Sequence, residues 1–335
     1  MRPIKHPIAR FFLHLALWIV VLTSTIPFFW TFLQSLKTKK QATSRTPIFL
    51  FKPTLDNFTK LWLKSVPDNL EVLAFGLIAI LLTLILIAVF AKRLPVSRAV
   101  VNGFIVAALV LILWAIPKFV NTDTFYDYFI NTVIVSVGVV LVSITVASLS
   151  AYALARYVGL AGVVLILLAL AFRSLPRISF ALPYYWMGQI TGLYDTHFLL
   201  ILTLAAVNQP FTIYILRSFF MDIPREIEES AMIDGASRLG AFVRVIVPIM
   251  WPGIIATALF TLVLAYHEYL LVRILASSNW TIAVAMTQYL GGVSVAGSLP
   301  LQSAAAVSGA IPLLIVVLIF QKQLVKGLSA GAVKG

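Results

Sequence analysis

The sequence predicts an all-α, polytopic membrane helix bundle. Hydrophobic residues make up 61% of the 335-residue chain and charged residues only 11%, and mean hydropathy is +1.01. A water-soluble chain of this length has no way to cover so much apolar surface, whereas a bilayer solvates it. The apolar residues are also grouped into eight runs near the ~20 residues that span a hydrocarbon core. The runs lie at about 11–33, 70–91, 99–117, 129–154, 161–182, 197–220, 251–272 and 304–321.

Charge orients these spans. A net charge of +13 on a soluble domain would suggest nucleic acid, but here Lys and Arg flank apolar runs, where topology and lipid headgroups account for them. Arg2, Lys5 and Arg10 place the N-terminus on the cytoplasmic side, and the run after them, too long for a signal-peptide core, reads as the first span. Alternation then puts Lys92, Arg93 and Arg98, Arg156, the polar loop 222–250, and Lys322 with Lys326 inside as well. Lys37, Lys39, Lys40, Arg45, Lys52, Lys60 and Lys64 fall on the outer side against the rule; moving them would invert the other loops.

Catalytic and cofactor chemistry is not expected. The chain has no cysteine, which excludes disulfides and thiol chemistry. No Gly-x-x-x-x-Gly-Lys-Ser/Thr loop occurs, so energy must come from another subunit or an ion gradient. His6, His14, His197 and His267 are not at metal-ligand spacing, and no hydrolytic triad is legible.

The most informative segment is Glu226-Ile-Glu228-Glu229-Ser230-Ala231-Met-Ile-Asp234-Gly235 through Val245-Ile246-Val247-Pro248. It is polar and charge-rich between two greasy runs, so it is placed to touch something soluble. Pro224 can open a helix, with Asp222 as its cap. Glu226, Glu228 and Glu229 then stand at the positive dipole end. Ser230 and Ala231 permit close approach, Gly235 permits a sharp turn, and Ala236–Val247 reads as a second helix toward Pro248.

In order and spacing this segment resembles the cytoplasmic coupling loop of permease subunits in binding-protein-dependent ABC importers, with Ser230 for the middle Ala of that family's Glu-Ala-Ala. Family-like sequence also stands at Phe129-Ile-Asn131-Thr132, Ser150–Arg156, Pro176-Arg177, Gly192–Thr196, Asn208-Gln209-Pro210-Phe211, Phe219–Pro224 and Tyr266-His-Glu-Tyr269. The tail 322–335, with Gly331 and Lys334, is similar to that of the smaller maltose permease subunit and its sugar-importing relatives.

The resemblance implies a six-span importer permease core plus an inserted two-helix hairpin. The segments are 1–69, an N-terminal span and outer loop; 70–117, the hairpin; and 118–335, the core with coupling loop 222–250. Apart from Thr83 and Asn102 the hairpin is apolar all round, which suits lipid or a peripheral seat. The implied partners are a second, homologous permease, two ATPase subunits carrying ATP and Mg, an external solute-binding protein, a carbohydrate (an oligosaccharide or glycosylated solute) and membrane lipid, but no nucleic acid. The implied location is the bacterial inner membrane, with both termini cytoplasmic. The rival reading is an ion-coupled secondary transporter, which needs acidic residues in the spans, where Glu268 is nearly alone.

Within the spans the candidate pathway or gate residues are Asn131, Asn208, Gln209, Glu268 and Gln288. Glu268 is expected to pair with Arg273 one turn on, as a structural or gating pair. Arg173 and Arg177 flank Pro176, which is expected to kink that span. Tyr184, Tyr185, Trp186 and Trp280 read as an interfacial belt. The outer loop Ser277–Ser303, with Gly291, Gly292, Gly297 and Ser298, is thin and adaptable; by resemblance it would enter the cleft of the docked binding protein. Gly331 and Lys334 are the candidate tail contacts.

Overall fold

The computed structural model describes residues 7–90, 98–157, 159–290 and 299–332. Among them there is no strand, only one isolated antiparallel bridge between Leu63 and Thr122. Among the described residues seven helices are long and apolar enough to cross a membrane, or eight if one bent pair forms a single span. The chain divides into two compact units: Met1–Tyr126 with Tyr289–Ser308, and Asp127–Gln288 with Gly309–Gly335.

The first unit holds α1 (Pro7–Ser35), the short α2 (Lys39–Ala42) and α3 (Asp56–Trp62), then α4 (Leu70–Phe90) and α5 (Arg98–Phe119). α4 and α5 pack on each other. The chain entering this hairpin is tied to the chain leaving it: Lys64 N donates to Asn121 O at 2.9 Å and Asp123 N to Trp62 O at 2.9 Å. The loop after α1 is folded, not trailing. Lys37 is 1% exposed, under the rings of Trp30 (4.7 Å) and Phe51 (5.2 Å), and Asn57 Nδ2 donates to the carbonyls of Ser35 and Lys37. One of the lysines that offends the positive-inside pattern is thus consumed by a cation–π cage.

The second unit begins in α6 (Thr124–Arg156) and continues through α7 (Leu160–Arg173), α8 (Ile178–Thr191) and α9 (His197–Met221). Then come α10 (Arg225–Ile233), α11 (Arg238–Ala241), a π-helical turn (Phe242–Ile246) and α12 (Val247–Tyr266). α13 (Leu270–Leu275), α14 (Ile282–Leu290) and α15 (Leu299–Ala332) complete the order. α9 is the hub, packing on α7, α8, α12 and α13. It supplies Leu199, Leu200 and Leu204 to one buried cluster and Leu216 and Phe220 to another. Where α6 meets it, Gly138 leaves no room for more: a Cβ there would lie 2.5 Å from Ile201 Cδ1. Small residues at such crossings let membrane helices approach closely.

Two expected spans differ in detail. The run 161–182 is not one kinked helix but α7 and α8, bent by 88°. Pro176 lacks an N–H and biases Leu175 away from helix, so the chain breaks at 174–177. The run 251–272 is displaced: the helix starts at Arg238, passes through Pro248 without stopping, and ends at Tyr266. The π-turn just before Pro248 widens the helix where the proline ring would meet the Arg244 carbonyl.

Candidate functional site

The polar segment forms a short helix held against the end of α6. α10 starts after Pro224, which sits at the N-cap position, so Asp222 is not the cap expected from sequence. Its end is a Schellman turn: Gly235 N donates to Met232 O (3.1 Å) and Ala236 N to Ala231 O (3.0 Å). Gly235 has φ +89°, a conformation that glycine adopts without a Cβ penalty. The second helix, from Arg238, runs on through the π-turn into α12.

The acidic residues of α10 divide by face. Glu226, Glu229, Ser230 and Asp234 are exposed, as are Ile233 (86%) and Leu239 (64%) beside them; Ala231 is half-buried. Glu228 turns inward. Its Oε2 accepts from Arg156 Nε at 2.8 Å and its Oε1 accepts the Tyr152 hydroxyl. Tyr152 and Arg156 are one turn apart on α6 and therefore share a face. Arg156 Nη1 also donates to the carbonyls of Phe220 (3.4 Å) and Ile223 (3.2 Å), and Arg225 Nη2 donates to the Arg156 carbonyl at 3.0 Å. The rings of Tyr152, Phe220 and Phe242 meet at centroid distances of 4.6–6.2 Å. α6, α9, α10 and the π-turn are thus joined at one point.

A second charged site lies at the α7–α8 break. Arg177 Nη1 forms an ion pair with Glu268 Oε2, and Glu268 Oε1 accepts Leu271 N at 3.2 Å. The expected Glu268–Arg273 pair does not form. Glu268 lies in the gap after α12, where its carboxylate binds the N-terminal turn of α13, and Arg273 instead lies 4.6 Å from the Trp280 ring. Arg173 lies 4.2 Å from the Phe211 ring. Leu170, Arg173, Ser174, Arg177 and Val207 line a cavity of about 340 Å³.

The other polar candidates do not converge on that cavity. Asn131 Nδ2 donates to Trp280 O (3.1 Å) and its Oδ1 meets His197 Nε2 (2.7 Å). Asn208, fully buried, donates to its own helix at Leu204 O. Gln209 Nε2 donates to Ser143 O on α6 (3.2 Å), and Gln288 Oε1 accepts the Tyr128 hydroxyl (3.3 Å). Trp280 is half-buried, stacked on Tyr128 and bonded to Ala276 O; Trp186 is exposed. Gly291, Gly292, Gly297, Ser298 and Lys334 lie outside the described residues, and Gly331 falls near the end of α15.

Sequence reasoning gave no role to Asp195. It sits at φ 59° and accepts from the backbone N–H groups of Ser277, Ser278 and Asn279 at 3.0–3.2 Å, and from both serine hydroxyls. Burial raises its pKa, but these hydrogen bonds outweigh it and hold the carboxyl well below the usual range. The signal was an Asp in a tight Gly-Leu-Tyr-Asp-Thr turn; its partners, some eighty residues on, were not visible.

The fold and the polar loop helix define a polytopic α-helical membrane protein. No protein-family model matches the chain, but curated relatives do. It is 31% identical over 266 residues, 77% of this chain and 95% of the relative, to the trehalose/maltose transport system permease protein MalG of Thermococcus litoralis. It is 34% identical over 231 residues to the trehalose transport system permease protein SugB of Mycobacterium tuberculosis (66% of this chain, 84% of the relative). It is 33% identical over 210 residues to the sulfoquinovosyl glycerol transport system permease protein SmoH of Agrobacterium fabrum (62% and 73%). Its fold matches a crystal structure of a bacterial ABC transporter involved in the import of the acidic polysaccharide alginate, with TM-score 0.65 and 18% identity over 96% of this chain and 99% of that one. The chain belongs to the family of MalG-type permease subunits of carbohydrate ABC importers. It is a multi-pass membrane permease for sugar uptake, not an enzyme in its own right.

Proposed function

We propose that this permease couples ATP hydrolysis on partner ATPase subunits to alternating access for an oligosaccharide or glycosylated solute. The observation that carries the reading is the geometry of α10. Its outer face, Glu226, Glu229, Ser230, Ile233 and Asp234, is free to enter a groove, while Glu228 fastens its inner face to α6. A short helix held at one face moves as a rigid body, and the Gly235 turn would hand that movement to α11, which runs through the π-turn into α12. Closure of two ATPases, with ATP and Mg bound there and not on this chain, would push α10 and reorient the pathway.

The same reading places a homologous second permease and an external solute-binding protein in the complex, and both termini in the cytoplasm of a bacterial cell. The loop with Gly291, Gly292, Gly297 and Ser298 would meet the binding protein, and the tail with Gly331 and Lys334 the ATPases. The named sugars of the relatives support a carbohydrate substrate. Ion coupling draws no support from them, and Glu268, the carboxylate it would need, is bound by Arg177 and Leu271.

The test is affinity purification from the native membrane, followed by ATP hydrolysis with and without sugar-loaded binding protein. A co-purifying ATPase whose stimulation is lost in Glu229→Lys supports the reading. A chain that purifies without an ATPase and drives uptake on a proton or sodium gradient sinks it.

A further inference from the structure

The cavity at the α7–α8 break carries a positive charge with no counter-charge among the described residues. Arg173, Arg177 and Glu268 sum to +1 − two guanidiniums against one carboxylate − and Glu268 is already bound by Arg177 and by the Leu271 N–H. Arg173 faces the aromatic ring of Phe211 and has no carboxylate partner among the described residues. α7 begins at Leu160, just past the end of α6 that anchors α10, and its fourteen residues run to Arg173, about 21 Å at 1.5 Å per residue. Set along the normal of a core of about 30 Å, that length would carry Arg173 past the headgroups on the side of α10. An unneutralised cation at such depth costs several kcal/mol and persists where it faces a water-filled path or a ligand.

We infer that this cavity is a solute subsite for an acidic carbohydrate, with the Arg173 guanidinium receiving a sugar carboxylate. The proposal rests on the carbohydrate-permease reading and narrows its substrate class. A guanidinium fork matches a carboxylate bidentately. One carboxylate at −1 would neutralise the +1 of the cluster. Arg177, fixed by Glu268, would stay as a positive wall and not swing onto the ligand. The Ser174 hydroxyl, which donates to Leu170 O at 3.1 Å, keeps lone pairs for a sugar hydroxyl. A volume of about 340 Å³ is at the small end of ligand pockets, suited to one ring of a longer chain passing through. The break itself supplies the site: irregular backbone at membrane depth is tolerated where it lines a cavity.

The test uses the whole complex in a glycan-free, uncharged detergent. Trigalacturonate and its methyl ester are titrated by calorimetry into the wild type, Arg173→Gln and Arg173→Lys. The acid should bind the wild type at least tenfold more tightly than the ester, lose that preference in Arg173→Gln and keep part of it in Arg173→Lys. Equal affinity of acid and ester in the wild type overturns the proposal, and that comparison needs no variant. So does a preference that survives Arg173→Gln. Saturation of the Arg173-dependent site by phosphatidylglycerol would assign the charge to a lipid headgroup. Loss of the second permease from the Arg173→Gln complex would assign it to the subunit interface. Either result overturns the proposal. A complex without ATPase sinks the importer reading before any titration. One that hydrolyses ATP and imports neutral sugar yet treats acid and ester alike overturns only this inference.

Discussion

Glu228 accepts a hydrogen bond from Arg156 at 2.8 Å across seventy-two residues of sequence. The two side chains are 11% and 16% exposed, so the pair is largely shielded from water. Removing one partner strands the other charge, which costs about 3–5 kcal/mol for a buried pair. Glu228→Gln is therefore expected to lower the unfolding midpoint in detergent and to release α10 from α6, weakening sugar-stimulated ATP hydrolysis. A double-mutant cycle with Arg156→Met measures the coupling; additive losses would show that the pair does not hold the helix.

Gly235 tests the turn. Its φ of +89° is unfavourable for a residue with a Cβ, by about 1–2 kcal/mol. Nothing lies within 4 Å of an added Cβ, so the penalty is conformational, not steric. Gly235→Val and Gly235→Pro should keep the protein inserted yet lower stimulated ATP hydrolysis, whereas Gly235→Asn should stay close to wild type. Equal activity in all three would show that the turn does not set the angle of α10.

Gly138 tests the α6–α9 crossing. Gly138→Ala forces Ile201 to shift, and overpacking of this kind costs about 1–3 kcal/mol. Adding Ile201→Val should recover part of the loss in a denaturant melt; no recovery would place the strain elsewhere.

The hairpin of α4 and α5 should be removable. Its flanks are joined by the Leu63–Thr122 bridge and the Lys64–Asn121 hydrogen bond, so a short glycine linker replacing residues 67–118 spans a gap already closed. The shortened chain should assemble and transport sugar at close to the wild-type rate. Assembly with complete loss of transport would give the hairpin a functional role.

Asp195 sets a pH dependence. Its folded pKa lies below the unfolded value of about 3.9, so the stability it contributes is present above that value and is lost as pH falls through the folded pKa. Asp195→Asn should lower the melting temperature throughout pH 5–8, and the gap to wild type should narrow as pH drops below about 4. A constant gap down to pH 3 would mean that its charge is not what the three N–H groups bind.

The sequence alone determined the class, the apolar runs and their order, and the polar segment between two of them. Composition decides the solvent, and a span must be a run of apolar residues. The Schellman turn at Gly235 is local, so its residues announce it. The sequence also marked Pro176 as a disturbance, because a missing N–H acts within one turn of its own position. Tertiary structure alone decided the partners of the charges. Glu268 was expected to take Arg273, its neighbour by helical spacing, and took Arg177 because the helix stops at Tyr266 and a second helix end competes for the carboxylate. Glu228 was read together with Glu226 and Glu229 as one acidic turn, and only the packing of α6 against α10 set it apart from them. Periodicity fixes which residues share a face; it carries no information about which distant side chain will meet that face. Pro176 marked the break beside Arg173 and Arg177, but the 88° size of the bend and the arrival of Val207 from α9 are set by packing, which leaves no mark in the order of the amino acids.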